Sequence, residues 1–137
     1  MAWLHAAPKP PEGTRRAKAA APAKALTRLE RMKKDGIAPK MPSNPAPHIV
    51  ARLIEIGITE TTGMGPAPLS WREIDAWQRN TGVPLPPWEA RLLRQLSLSY
   101  IAESRRAEDE TCPPPWRAEV TQRELDVAEE KLRLVLG

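Results

Sequence analysis

The chain has no phenylalanine, one tyrosine and one cysteine, set against five tryptophans and sixteen prolines in 137 residues. A lone Cys112 has no partner for an intramolecular disulfide, which fits a reducing compartment better than a disulfide scaffold. No stretch approaches the roughly 20 apolar residues of a membrane span. The start, MAWLHAAPKPP, lacks a cationic segment and meets Pro8 after only a few apolar residues, so it does not read as a secretory signal. The expectation is a soluble intracellular protein.

Strand signals are equally scarce. No segment alternates apolar and polar residues, and β-branched residues are not concentrated in short runs. The expected fold class is therefore all-α: a small helical module with a disordered or extended basic, proline-rich N-terminal arm and a C-terminal amphipathic helix. Catalytic patterns are missing too. His5 and His48 lack partners at metal-ligand spacing. Glu108, Asp109 and Glu110 crowd Cys112 with negative charge, and no base stands beside it to make it a nucleophile. No phosphate-binding glycine loop, nucleophile elbow or HExxH pattern occurs. The expectation is a non-enzymatic protein with no catalytic residue, no metal and no cofactor.

Charge divides the chain unevenly. Residues 1–41 carry ten Lys/Arg against three Asp/Glu, a net +7, and residues 42–137 carry eleven against fourteen, a net −3. Residues 5–25, mostly Ala, Pro, Lys, Arg and Gly, bury too little apolar surface to offset ordering, which costs about 1–2 kcal/mol per residue. They read as part of a separable arm over 1–43, with a short helix at 26–35 where Leu26 and Leu29 share a face and Gly36 stops the turn. Such an arm could touch nucleic acid, but no aromatics are interleaved with its cations, so nucleic acid is not the expected partner.

The core is expected over residues 44–110. Ile49, Leu53 and Ile56 follow i, i+4, i+7 ahead of Gly57, with Ser43 or Asn44 as cap. Residues 58–69, punctuated by glycine and proline, read as a loop. Ser70 and Glu73 form a capping-box pattern for a helix whose Trp71, Ile74 and Trp77 share one face. Pro87 suits a first helical position, and Trp88, Leu92, Leu96 and Tyr100 step by four along one ridge to about Ala107. Trp71 and Trp88 are expected at the centre of the core.

Residues 111–137 read as a spacer stiffened by Pro113–Pro115 and a helix for association. That helix carries two apolar stripes. Ala118, Leu125, Ala128, Leu132 and Val135 form one, suited to packing on the domain or on another copy. Val120, Val127 and Leu134 lie roughly opposite and are expected to remain for a partner. Trp3 and Trp116, on proline-rich segments outside the helical stripes, are further candidates for partner binding, with folding back onto the domain as the alternative.

The stretches MAWLHAAPKPP, RLERMKKDGIAPKMP, HIVARLIEIGI, GMGPAPLSWREIDAWQRNTGVPLPPWEARLLRQLSLSY and CPPPW together resemble small proteins of the tail-morphogenesis module of tailed bacteriophages and prophages. Proteins of that kind are read as tail assembly chaperones, similar to the G and T products of lambda-like phages. The resemblance implies a non-enzymatic chaperone that binds tape-measure or tail-tube protein in the host bacterial cytoplasm during assembly, with a possible homo-oligomer. A small adaptor retained in the virion tail is the alternative it leaves. A nucleic-acid-binding regulator using the basic arm is a third reading, drawn from charge alone.

Overall fold

The computed structural model describes residues 1–19 and 25–137. Its elements run α1 (Ala2–His5), α2 (Arg15–Ala19), α3 (Arg28–Lys34), α4 (Pro47–Ile56), β1 (Thr59–Thr62), β2 (Gly65–Pro68), α5 (Trp71–Thr81), α6 (Pro87–Arg106) and α7 (Gln122–Leu136). Two compact units share them. Met1, Trp3–Pro42 and Ala107–Gly137 make the first, and Ala2 with Ser43–Arg106 makes the second.

The second unit overturns the all-α expectation. β1 and β2 pair antiparallel, Thr59 with Pro68 through Thr62 with Gly65, in the stretch read as a loop. Pro66 and Pro68 hid the strand, because proline cannot donate to a ladder. A strand with a neighbour on one side only tolerates proline wherever its missing N–H would face away from that neighbour. Gly65 supplies the positive φ the turn requires, at +106°. Thr62 Oγ1 closes the turn by donating to the Gly65 carbonyl at 2.7 Å.

α4 begins at Pro47 with Ala46 as its cap residue, not Ser43 or Asn44, and Asn44 Oδ1 instead accepts from the Ala46 amide. Its stop at Gly57, φ +118°, is followed by Ile58 at φ +62°. A β-branched residue is strained there, and the surroundings hold it: the Ile58 amide donates to Leu53 O at 2.9 Å. Ser70 caps α5 by accepting from the Glu73 amide. The reciprocal half of the expected box is replaced, since the Ser70 amide donates to Glu60 Oε1 of β1 at 2.5 Å.

Ile49, Leu53, Leu69, Ile74 and Leu93 form the core of this unit, with Ile56, Leu92 and Leu96 partly buried against it. Trp77 is also buried. Trp71 and Trp88, expected at the centre, are instead 52% and 57% exposed. The buried ridge of α6 is Glu89, Leu93, Ser97 and Ile101, one residue on from the ridge of Trp88, Leu92, Leu96 and Tyr100. One residue turns the face by about 100°. Two of the four buried positions are polar, so counting apolar residues favours the wrong ridge. Both are satisfied: Glu89 pairs with Arg52, and Ser97 bonds backbone groups at either end of the hairpin. Trp71 is left on the flank, with the Arg94 guanidinium 5.6 Å from its ring centre.

The first unit unites segments that the sequence suggested were separate. The N-terminal segment is strongly basic. Residues 107–137 carry eight Asp/Glu against four Lys/Arg. Opposite charges meet between them: Lys9 Nζ lies 2.8 Å from Glu108 and Arg16 2.5 Å from Glu110, and the Lys9 amide donates to the Glu108 carbonyl at 2.8 Å. The described part of the arm is thus bonded to the C-terminal segment, contrary to a free extended chain. Residues 20–24, which the arm reading also covered, lie outside the described residues. The helix expected at 26–35 is α3, capped by a full Thr27–Glu30 box.

Candidate partner-binding surface

Trp3 and Trp116 fold back onto their own unit. Their rings meet edge to face, 5.5 Å apart at 82°, a favoured aromatic geometry. Trp3 Nε1 donates to the Cys112 carbonyl at 2.8 Å, which fixes the indole against the proline segment. Arg28 completes the arrangement, its guanidinium 4.6 Å from the Trp3 ring centre. Nη1 donates to the carbonyls of Trp3 and Ala107, and Nη2 to that of Asp109, at 3.2, 2.5 and 2.8 Å.

Arg28 is only 7% exposed. Burial is the main cause holding its pKa below the usual arginine value, with Arg31 acting in the same direction and Cys112 and Asp109 opposing. The side chain stays charged, since arginine does not deprotonate in proteins. Sequence reasoning missed it. The available signal was a cation in the first position of α3, where the helix dipole disfavours positive charge. A cation placed there has another task.

A groove of about 450 Å³ opens beside the tryptophan pair, lined by Met32, Pro39, Pro114 and Val120 as well as Trp3 and Trp116, with Lys40, Arg117 and Glu119 among its polar groups. Glu124 also reaches it. Its carboxylate is held below the ordinary glutamate range, first by the Thr121 amide and then by the Thr121 hydroxyl, in the capping box of α7.

α7 departs from the sequence expectation at Val127. Val127, expected to await a partner, is buried. Arg123 and Lys131, one turn to either side of it, reach Asp35 just beyond α3: Arg123 Nε donates to its carbonyl at 2.9 Å and Lys131 Nζ pairs with its carboxylate at 2.7 Å. That ridge is the docked side of the helix. Val120 and Leu134 remain exposed, as expected, and so do Leu125 (53%), Leu132 (59%) and Val135 (83%) of the stripe suited to packing on the domain or on another copy, so that stripe is not packed on the domain. Arg123 and Lys131 flank Val127 on this ridge and both reach Asp35.

Of the sequence candidates, then, Trp3 and Trp116 are brought together, Val120 lines the groove, Val127 is withdrawn into the unit, and Leu134 stands apart on the exposed end of α7. Among the described residues no group of His, Cys, Asp and Glu could hold a metal ion, and no helix is long and apolar enough to cross a membrane. Compared with protein-family models, with curated proteins and with solved structures, the chain shows no match.

Proposed function

We propose that this protein is a non-enzymatic binding protein of tailed-phage tail assembly, acting as a chaperone that holds tape-measure or tail-tube protein. The lineage rests on the sequence resemblance. The observation that carries the binding role is the exposed apolar row of α7. Leu125, Leu132, Val135 and Leu136 are each more than half exposed, on a helix whose other side is tied to Asp35 through Arg123 and Lys131. A helix fixed along one side and apolar along another is suited to receive an amphipathic segment of a partner.

The test is a pull-down of the full chain from phage-producing cells, with partners identified by mass spectrometry. Tail proteins captured by the native chain and lost from Leu125→Glu/Leu132→Glu support the reading. Capture of the same proteins by both forms would place the binding surface elsewhere. Retention of the chain at fixed copy number in purified virions would favour the adaptor alternative.

A further inference from the structure

We propose that the exposed row of α7 pairs with the same row of a second copy, antiparallel, to make a homodimer. This rests on the reading of α7 as an association surface, and the second copy occupies the row when no tail protein does. The spacing is the first argument. Leu125, Ala128, Leu132 and Val135 follow i, i+3, i+7, i+10, the a and d positions of a coiled-coil seam, and fall within an arc of about 80° at 3.6 residues per turn. Such a narrow seam suits one facing helix.

Charge along the helix supplies the second argument and sets the orientation. Residues 124–130 hold Glu124, Asp126, Glu129 and Glu130 with no cation, and residues 131–136 hold Lys131 and Arg133 with no acid. A parallel pair in register would set like ends side by side, with Glu124 against the partner copy's residue 129, also glutamate. An antiparallel pair lays the basic end of each helix along the acidic stretch of the other, and the two helix dipoles then oppose. The present partner of Arg133 is Glu129 of the same helix, an exposed pair weak enough to share. α7 has 15 residues, so the seam is about 22 Å long. An interface of that size is at the small end of specific ones, and the dimer forms and dissociates with concentration.

Sedimentation equilibrium of the full chain over a hundredfold concentration range tests the association. The expected result is a monomer–dimer equilibrium that Leu125→Glu/Leu132→Glu shifts to monomer by at least tenfold in dissociation constant. At concentrations where the native chain is monomeric the far-ultraviolet melting curves should coincide, because both side chains are exposed in the single chain. Orientation is read by disulfide trapping in a Cys112→Ser background, mixing a tagged Leu125→Cys chain with an untagged Val135→Cys chain. Antiparallel pairing gives the mixed disulfide. Homodisulfides of each variant alone, or a monomer at every concentration, would overturn the proposal. A monomer whose Leu125→Glu/Leu132→Glu variant still loses its tail-protein partner removes the dimer and leaves the binding role standing. A dimer with no tail-protein partner does the reverse.

Discussion

Ser97 Oγ donates to the Ile58 carbonyl at 2.6 Å, from a side chain with no solvent exposure. The same oxygen accepts from the Leu69 amide at 2.9 Å. Ile58 precedes β1 and Leu69 follows β2, so one hydroxyl on α6 ties the two ends of the hairpin. Arg94, one turn earlier, donates to the Leu69 carbonyl at 2.8 Å.

Replacing Ser97 with alanine leaves the buried Leu69 N–H and the half-buried Ile58 C=O each short of a partner. Loss of about 1–3 kcal/mol is expected, the cost of an unsatisfied buried group. Urea denaturation measures it. A change below about 0.5 kcal/mol, the range of surface substitutions, would mean that the hairpin base relaxes without the clamp.

The ridge assignment in α6 has its own test. Leu93, with no exposure, should cost about 2–5 kcal/mol on truncation to alanine. Trp88→Ala, at 57% exposure, should cost less than about 1 kcal/mol despite the larger side chain. If the order reversed in urea melts, the ridge through Trp88 would be the buried one.

What the sequence disclosed follows from which forces are local. Helix starts and stops are set by neighbours in the chain, and Gly57, Ser70 and Pro87 mark α4, α5 and α6 as their residue types suggest. The hairpin was illegible because Pro66 and Pro68 argue against a strand unless its open side is known. Ser97 and Glu89 became core residues through partners 28 to 39 positions away, which no local window contains. The binding surface was half legible: two stripes on α7 were visible, but the docked ridge meets Asp35, 88 residues from Arg123. Arg28 was not legible as an anchor, because its acceptors are backbone carbonyls and any residue carries one.

Arg28 should matter more than its place on a basic segment suggests. Arg28→Ala removes four donated or stacked contacts and leaves the carbonyls of Trp3 and Ala107 short of a donor, while that of Asp109 keeps the Cys112 amide. About 1–3 kcal/mol is expected from the lost hydrogen bonds, with cation–π stacking adding roughly 0.5–2 kcal/mol. Arg28→Lys should recover only part, since an ammonium cannot reach three carbonyls with the geometry of the guanidinium fork. Limited proteolysis should show residues 1–19 cut faster in Arg28→Ala. Equal cutting rates in the native and variant chains would mean that the segment is held by its exposed ion pairs instead.

Acid should loosen the start of α5 through Glu60. The Ser70 hydroxyl and then the Ser70 amide hold the Glu60 carboxyl below the ordinary glutamate range, against a smaller opposing effect of burial. The folded form therefore favours the ionised carboxylate. The stabilisation is complete above the unfolded value, about 4.3 for glutamate, and is lost as pH falls through the lower folded value. Glu124 behaves in the same direction at the start of α7, through Thr121. Glu60→Gln should lower stability at neutral pH and flatten the decline on the acid side, and it should leave the response of α7 intact. Urea midpoints of the native and Glu60→Gln chains between pH 7 and pH 3, with the Ser70 amide followed by NMR, separate the two sites. An acid decline unchanged in Glu60→Gln would show that the Ser70 contact contributes nothing to folding and that other carboxylates, Asp109 and Glu124 among them, set the acid limit.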